Sequence, residues 1–578
     1  MKRRAPRLIW KLLAGDVWRL LALTTCSLVT LIAFAGAVKP LADGKVGLID
    51  ALTLMGLLVV PMLQFALPFA SGFAATIAYH RFAADNEAMA AHAGGVGHRA
   101  LLVPALATGL VVGVALAGLS NEVIPRFLRR AELLITRDAT RVFVRPIERG
   151  ESVRIGPYDV YAQRVLRVRP EGGGRAADDA GLVPGVLDHL VLQGVLAVQS
   201  DERGVRTWLN AKRVDLWVLD DDGADESGQG AAVQLVFSQV EGDMPEGTLS
   251  GDELVTQRLV IPGAFRDDPK FLPLRELLAV QREPRRIGAV EQRHRMLAAA
   301  LSQAEMVQRL DEQLRAQGHA ALVRQGERMV LSAAGLRAQG NSWVIEGVAG
   351  TGPAVALAVR RDDGTERLLH ATGGMLDLMT APSGTERTPA AGPIVGLRLE
   401  LANVTAVGAG AAAADGGERS RRIFTGLVTE GDAYASRLEL GSRALIREAR
   451  ALGDTTMAPS LITPDLSRQV ASAARNLRSR ATDIRQEATG KLHERFALSA
   501  ACVLMVLTGA VTALRLRESL PLPVYLWSFF PALVTVITAN AGANMVQRTG
   551  SPGLVLLWGG VVALAAYTWR AFVALRKH

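Results

Sequence analysis

The chain has 578 residues, 49% hydrophobic, 21% charged and 5% aromatic, with a formal net charge of +9. Those proportions exclude a disordered chain, and two cysteines, Cys26 and Cys502, exclude a disulfide-stapled scaffold or a multi-cysteine zinc site. A mean hydropathy of +0.21 over so long a chain is high for a soluble protein, and the apolar residues are unevenly spread.

The N-terminus is basic, with Lys2, Arg3, Arg4, Arg7, Lys11 and Arg19, and reads as an amphipathic helix leading into a first apolar stretch, Leu20–Val38. That stretch is too long for the core of a cleaved signal peptide. Further stretches cover Ala51–Ile77, Leu101–Leu119, Ala497–Leu514, Leu520–Thr538 and Gly553–Trp569. Each is close to the roughly 20 residues that cross a hydrocarbon core. None contains Asp, Glu, Lys or Arg, and one such charge at mid-membrane would cost about 2.5 kcal/mol or more. The expected fold is a polytopic α-helical membrane protein of six transmembrane helices, arranged 3+3, with a large extracytoplasmic β-rich insert of jelly-roll or β-taco type. Its parts read as 1–130 (amphipathic helix and spans one to three), 131–490 (insert with helical insertions) and 491–578 (spans four to six). Basic clusters at the N-terminus, at Arg515 and Arg517, and at Arg570, Arg576 and Lys577 all fall on one side of such a topology, which puts both termini in the cytoplasm.

Between spans two and three lies Tyr79–Arg99. Asp85 is placed to cap a short helix, Glu87 sits in its first turn where the dipole favours an anion, and Gly94 and Gly95 are placed to stop it. A helix of about two turns with a small-residue surface suits a groove on another protein, or serves simply as a connection.

Within the insert, strands are expected over Arg141–Ile147, Ser152–Val168, Val186–Val198, Val205–Leu219, Val233–Val240 and Leu254–Ile261. Arg275–Gln317 reads as helix. A second strand-rich part runs from about Ala320 to Thr429 and includes Met329–Ser332, Ser342–Val348, Val355–Val359 and Ile394–Leu401. Glu171–Ala180, Asp221–Ala232 and Val407–Gly417 read as loops, and Pro464–Lys491 as an amphipathic helix running straight into span four.

Catalytic patterns are missing. Gly490-Lys491 is followed by Leu492, so no phosphate loop forms, and neither His-Glu-x-x-His nor Gly-x-Ser-x-Gly occurs. The expectation is no catalytic residue, no metal and no cofactor. The spans also lack the Asp, Glu or His relay of an ion-driven transporter. A transporter of this composition takes its energy from a partner. Lys39, Lys45, Arg126, Arg129 and Arg130 stand near the outer mouth, where they hold lipid phosphates or simply anchor the chain at the interface.

Several motifs carry a family resemblance. Leu67-Pro68-Phe69-Ala70, continuing through Arg81, Asp85-x-Glu87 and Gly95, resembles the "LP-x-A … R-x-x-x-D-S-E … G" stretch of the LptF/LptG lipopolysaccharide-export permeases. Asn121-Glu122-Val123-Ile124-Pro125 resembles that family's "N-E-x-x-P", and His493-Glu494-Arg495-Phe496-Ala497 its "E-x-H-x-R" approach to span four. Gly542 to Trp558 resembles its last loop and span. Two departures stand out: Ser499 and Ala500 lie where the family has a proline, and the insert is longer than one jelly-roll.

The resemblance implies a permease subunit of an ABC-type exporter in the bacterial inner membrane, with the insert periplasmic. Its partners would be a second six-span permease, a cytoplasmic ATPase dimer that binds the ATP, and a periplasmic jelly-roll bridge toward the outer membrane. Its cargo would be lipopolysaccharide or a related glycolipid. The loop between spans two and three then becomes the coupling helix that docks on the ATPase, with Arg81, Asp85, Glu87, His92 and Gly95 as its contact residues. The alternative is a membrane-anchored envelope scaffold or sensor whose insert binds a partner.

Overall fold

The structure is a computed structural model that describes residues 6–42, 48–129, 152–155, 158–168, 186–201, 204–220, 231–244, 247–255, 259–261, 268–324, 327–348, 354–361, 366–378, 395–407, 419–429, 434–451, 461 and 463–576. In chain order its helices are α1 (Arg7–Ala42), α2 (Leu48–Ala84), α3 (Glu87–Ala93), α4 (His98–Gly118), α5 (Leu274–Arg282), α6 (Gly288–Gln317), α7 (Tyr434–Glu439), α8 (Ser442–Ala451), α9 (Pro464–Arg515), α10 (Pro521–Thr549) and α11 (Pro552–Leu575). Contacts divide the chain into two units. One comprises Met1–Ala139, Gly263–Pro284 and Thr482–His578; the other comprises Thr140–Pro262 and Arg285–Ala481. The expected strand Arg141–Ile147 and the loop Glu171–Ala180 lie outside the described residues.

The first unit holds six helices long and apolar enough to cross a membrane: Arg7–Gly36, Met55–Ala84, His98–Arg129, Leu466–Arg515, Pro521–Thr549 and Pro552–Leu575. The fourth of these begins in the second unit, because the division falls inside α9. Of its most apolar window 78% is buried, against 22% for the first and fifth. Helix α9 is therefore the central post. Small residues let its neighbours approach closely, as membrane packing requires when no hydrophobic effect drives helices together. A Cβ on Gly509 would lie 2.6 Å from the Gly72 carbonyl oxygen, and one on Gly113 3.0 Å from that of Ser499. Hydroxyls supply the polar glue: Thr508 Oγ1 meets Thr568 Oγ1 at 2.5 Å, and Thr76 Oγ1 donates to Ser528 Oγ at 3.2 Å.

Pro104 interrupts α4. It has no N–H to give the Ala100 carbonyl, four residues back. Trp10 Nε1, from α1, donates to that carbonyl at 2.8 Å. One residue on, the Tyr79 hydroxyl inserts into the ladder itself: it donates to Leu101 O at 2.9 Å and accepts from Ala105 N at 3.2 Å. Tyr79 is fully buried. Further along, α4 widens into a π-turn at Leu119–Val123 before Pro125, and Asn121 Nδ2 returns to Ala117 O at 2.8 Å.

The second unit holds two sheets. In the first, β1 (Val153–Ile155), β2 (Tyr158–Val168), β3 (Val186–Asp201), β4 (Gly204–Asp220), β5 (Ala231–Met244) and β6 (Gly247–Val255) pair antiparallel in sequence order, and β7 (Leu259–Ile261) also pairs with β5. Two single strands expected from the sequence are each split. Ser152–Val168 is the hairpin β1–β2, with Ile155 opposite Tyr158, and Leu254–Ile261 divides between β6 and β7. One face buries Ala162, Leu192, Val195, Leu209, Ala211 and Val214. Gly194, at φ +61°, shifts the alternation so that Leu192 and Val195 both reach that core. On the other face, Asp215 Oδ1 bonds His189 Nε2 at 2.9 Å and Arg213 grips both carboxylate oxygens at 2.7 and 2.8 Å. The His189 ring stacks on Trp217 at 3.6 Å.

The second sheet comprises β8 (His319–Arg324), β9 (Glu327–Ser332), β10 (Gly335–Gln339), β11 (Ser342–Glu346), β12 (Val355–Arg361), β13 (Glu366–Ala371), β14 (Gly373–Leu378), β15 (Leu397–Val407) and β16 (Arg419–Thr429). Strand β16 pairs with both β8 and β15, so β15-β13-β12-β9-β8-β16 closes into a six-stranded barrel, with β10, β11 and β14 continuing from β15. The helix expected over Arg275–Gln317 is in fact two, α5 and α6, separated by a 3-10 turn at Pro284–Arg286. Pro284 cannot donate to a preceding carbonyl, and the chain turns there. Helix α6 is fixed to β10 by Asp311, which accepts from Leu336 N at 2.7 Å and from Arg315 Nε at 2.7 Å.

Replacing Tyr79 with Phe removes both bonds of its hydroxyl in the α4 ladder at one stroke and leaves a buried amide and carbonyl unmatched. The expected loss is about 1–3 kcal/mol, read as a lower thermal midpoint of the detergent-solubilised protein. Burial alone would raise the Asp215 carboxyl, but its hydrogen bonds from Arg213 and His189 win and hold it below the usual carboxylate range. A carboxyl depressed on folding stabilises above its unfolded pKa and loses that stability as pH falls through its folded pKa. Asp215→Asn should therefore flatten the acid limb of the stability profile and change little at neutral pH beyond a constant offset.

Candidate functional site

The residues singled out between spans two and three come together at one end of the first unit. Helix α2 ends at Ala84, and Asp85 and Asn86 form the turn into α3. The cap position belongs to Asn86 and not to Asp85. Asn86 adopts the left-handed conformation at φ 58°, no side chain caps the helix, and Asn86 O accepts from Ala90 N at 3.0 Å. Asn tolerates that conformation better than most side chains, which is why the turn settles one residue later than expected. Glu87 opens the first turn of α3 and is exposed.

The C-terminal stop is a Schellman closure. Val96 N donates to Ala91 O at 3.0 Å and Gly95 N to His92 O at 2.9 Å, with Gly95 at φ +83°. His92 reinforces it: Nδ1 lies 2.7 Å from Val96 O, and its ring meets that of His98 edge-on at 4.2 Å.

The two faces of α3 differ in kind. Ala88 and Ala91 are buried in a core cluster that gathers Leu13 and Val17 of α1, Phe82 of α2, Leu101 of α4, Leu514 of α9 and Leu575 of α11. Alanine allows α3 to lie tight against this end of the bundle. The start of α1 and the ends of α9 and α11 are at the same end. The opposite face exposes Glu87, Ala90 and Ala93, together with Met89 at 49%, and Arg81 at the end of α2 and Asp85 in the turn are exposed as well. A flexible thioether set among small residues and separate charges is a surface able to fit a groove.

Of the residues expected near the outer mouth, the side chains of Arg126 and Arg129 are described, and each has a carboxylate partner. Arg126 pairs with Glu122 at 2.6 Å and is 67% exposed. Arg129 gives both terminal nitrogens to Glu276 of α5, one at 2.8 Å. Lys39 falls in α1, with its side chain outside what is described, and Lys45 and Arg130 lie outside the described residues.

Sequence reasoning missed a second constellation at the approach to span four. The buried Arg495 guanidinium donates to Leu272 O at 2.9 Å and Lys270 O at 2.7 Å, while Lys491 Nζ pairs with Glu494 at 2.7 Å. Gln281 Nε2 reaches Thr489 Oγ1 at 3.0 Å and Arg485 Nε reaches Gln281 O at 3.2 Å. Residues 268–282 are thereby stitched to α9, and through Glu276 to the end of α4. The signal was the Glu494-Arg495 pair beside an apolar run, but its partners are more than 200 residues away in sequence.

Residues 18–217, roughly a third of the chain, match the family model described as lipopolysaccharide export system permease LptF/LptG. The matched stretch holds α3, the motifs around it and the first strands of the insert. A search of curated proteins found no match.

Gly95→Ala tests whether the end of α3 is built as described. A Cβ there meets nothing within 4 Å, so the cost is backbone strain alone, about 1–2 kcal/mol. Amides of residues 87–96 should exchange hydrogen faster, with exchange elsewhere in α2 and α4 unchanged.

Proposed function

We propose, taking the supported LptF/LptG family as premise, that the chain is the permease subunit of an exporter that draws lipopolysaccharide or a related glycolipid from the inner membrane. The family supports an export-permease role in lipopolysaccharide transport, and six apolar helices fit a multi-pass inner-membrane protein. A separate cytoplasmic ATPase drives the transport, a second six-span permease completes the cavity, and a periplasmic jelly-roll bridge receives the lipid. Both termini are on the cytoplasmic side and the insert is periplasmic.

One observation carries this reading. Helix α3 is seated by its alanines on a core shared with all six of the long apolar helices, at the end where α1 starts and α11 stops, while its charged and methionine-bearing face is uncovered. A force applied to α3 from the cytoplasm reaches that core directly. Arg81, Asp85, Glu87, His92 and Gly95 form the docking element: the first three contact the ATPase, and the last two hold the shape. The buried hydroxyls between helices serve their packing, and the work is assigned to the partner. Charge-free spans receive the acyl chains. Arg126 and Arg129 serve the lipid phosphates only after exchanging their carboxylate partners, and Lys39, Lys45 and Arg130 belong to the same proposal.

Glu87→Arg should abolish lipid-stimulated ATPase activity in a reconstituted complex, with the purified subunit's thermal midpoint unchanged because Glu87 is exposed. Preserved stimulation would overturn the coupling role. The second reading, an envelope scaffold or sensor, draws on the closed barrel beyond the matched residues. Co-purification separates the two: a stoichiometric ATPase supports the exporter, and its consistent absence supports the scaffold.

A further inference from the structure

The six-stranded barrel lies outside the residues that the family match covers, and its interior ends in an unusual way. Side chains of a strand alternate between faces with a period of two. Leu322, Met329, Val359, Leu369 and Phe424 are buried inside, one on each of β8, β9, β12, β13 and β16. Two residues further along the same face of each strand stand Arg324, Glu327, Arg361, Arg367 and Arg422. An apolar column therefore finishes in four arginines and one glutamate at a single mouth. These five line a cavity of about 150 Å³, floored by Val359, Leu369 and Phe424.

Glu327 is matched to Arg361, Oε1 to Nε at 2.9 Å. The Arg422 guanidinium lies 5.4 Å from the centre of the Phe424 ring. Arg324 and Arg367 make no ion pair with a described residue. Among the described residues that line the cavity, Glu327 is the one carboxylate and it is matched to Arg361, which leaves Arg324 and Arg367 with none. Like charges converging on one cavity repel, and their convergence is favourable when they share an anion. Guanidinium forks fit phosphate oxygens two at a time, and the apolar floor suits a hydrocarbon or ring attached to the anion.

We propose that this mouth of the barrel is a binding site for a phosphate group, presented either by a phosphorylated lipid headgroup or as a free phosphate. Arg324 and Arg367 are its principal ligands, Arg422 is a third held over Phe424, and the Glu327–Arg361 pair forms the rim. The site goes beyond the transport reading and does not depend on it, because it is tested on the purified chain alone.

The full-length protein in detergent is titrated calorimetrically with inorganic phosphate and, separately, with dihexanoyl phosphatidic acid below its critical micelle concentration. One site per chain is expected for at least one probe. Arg324→Gln and Arg367→Gln should each weaken it about tenfold, as expected for loss of one charge-assisted bond. Arg360→Gln, on the outward face of β12, should leave it unchanged. Phosphatidic acid binding that inorganic phosphate does not displace identifies the lipid headgroup as the source; displacement, or binding of inorganic phosphate alone, identifies free phosphate. Either result supports the site. Failure of both probes to bind above a dihexanoyl phosphatidylcholine control overturns it, as does full affinity in the double variant R324Q/R367Q. If circular dichroism shows that double variant misfolded, Arg367→Lys decides. It keeps the charge and loses the fork, so unchanged affinity for the bound probe overturns the proposal and weaker binding supports it.

Discussion

Proline 104 is the constraint around which one end of the helical unit is organised. A missing amide in the middle of an apolar helix leaves a carbonyl that neither water nor lipid can satisfy at acceptable cost. The protein answers from two other helices, with the Trp10 indole on the Ala100 carbonyl and the Tyr79 hydroxyl between Leu101 O and Ala105 N. These bonds fix α1 and α2 against α4 at a set height. Phe82, Leu101 and Val17 then meet in one cluster, and the alanines of α3 have a floor to sit on. Without the two fillers the kinked α4 has no defined partner. Helix α3 then loses its seat before any of its own residues is touched.

Much of the helical architecture was legible because its signal is local. Charge-free runs of spanning length mark themselves, and each of the six expected stretches overlaps one of the six long apolar helices of the structure. Helix α3 was legible for the same reason, since a two-turn helix between a turn and a glycine pair is set by its own residues. The error at its start is instructive. Asp85 is the better N-cap by side-chain chemistry, but the chain leaves α2 through a left-handed Asn86, and the backbone decides which residue occupies the cap.

What was not legible depends on partners distant in sequence. Nothing near Arg495 announces that it will hold the carbonyls of Lys270 and Leu272. Closure of the barrel rests on β16 finding both β8 and β15, and alternation within one strand cannot reveal which neighbours it takes. The ring of arginines at the barrel mouth was likewise invisible. Each arginine sits in an ordinary strand, and only the shared inward face brings them together. The single helix expected through Pro284 is broken for a local reason: the proline has no amide to give a preceding carbonyl, and a 3-10 turn stands there instead.

The central position of α9 sets an order of events during synthesis. Its sulfhydryl at Cys502 meets Ser71 Oγ at 3.3 Å across 431 residues, and Gly113 is shaped to receive Ser499. The ribosome must therefore release the first three spans and translate the whole β-rich region before the post that binds them exists. Until then the grooves cut for α9 on α2 and α4 are occupied only by lipid. The nascent chain thus passes through a long half-built stage in which its small-residue surfaces stand open to any other helix in the bilayer.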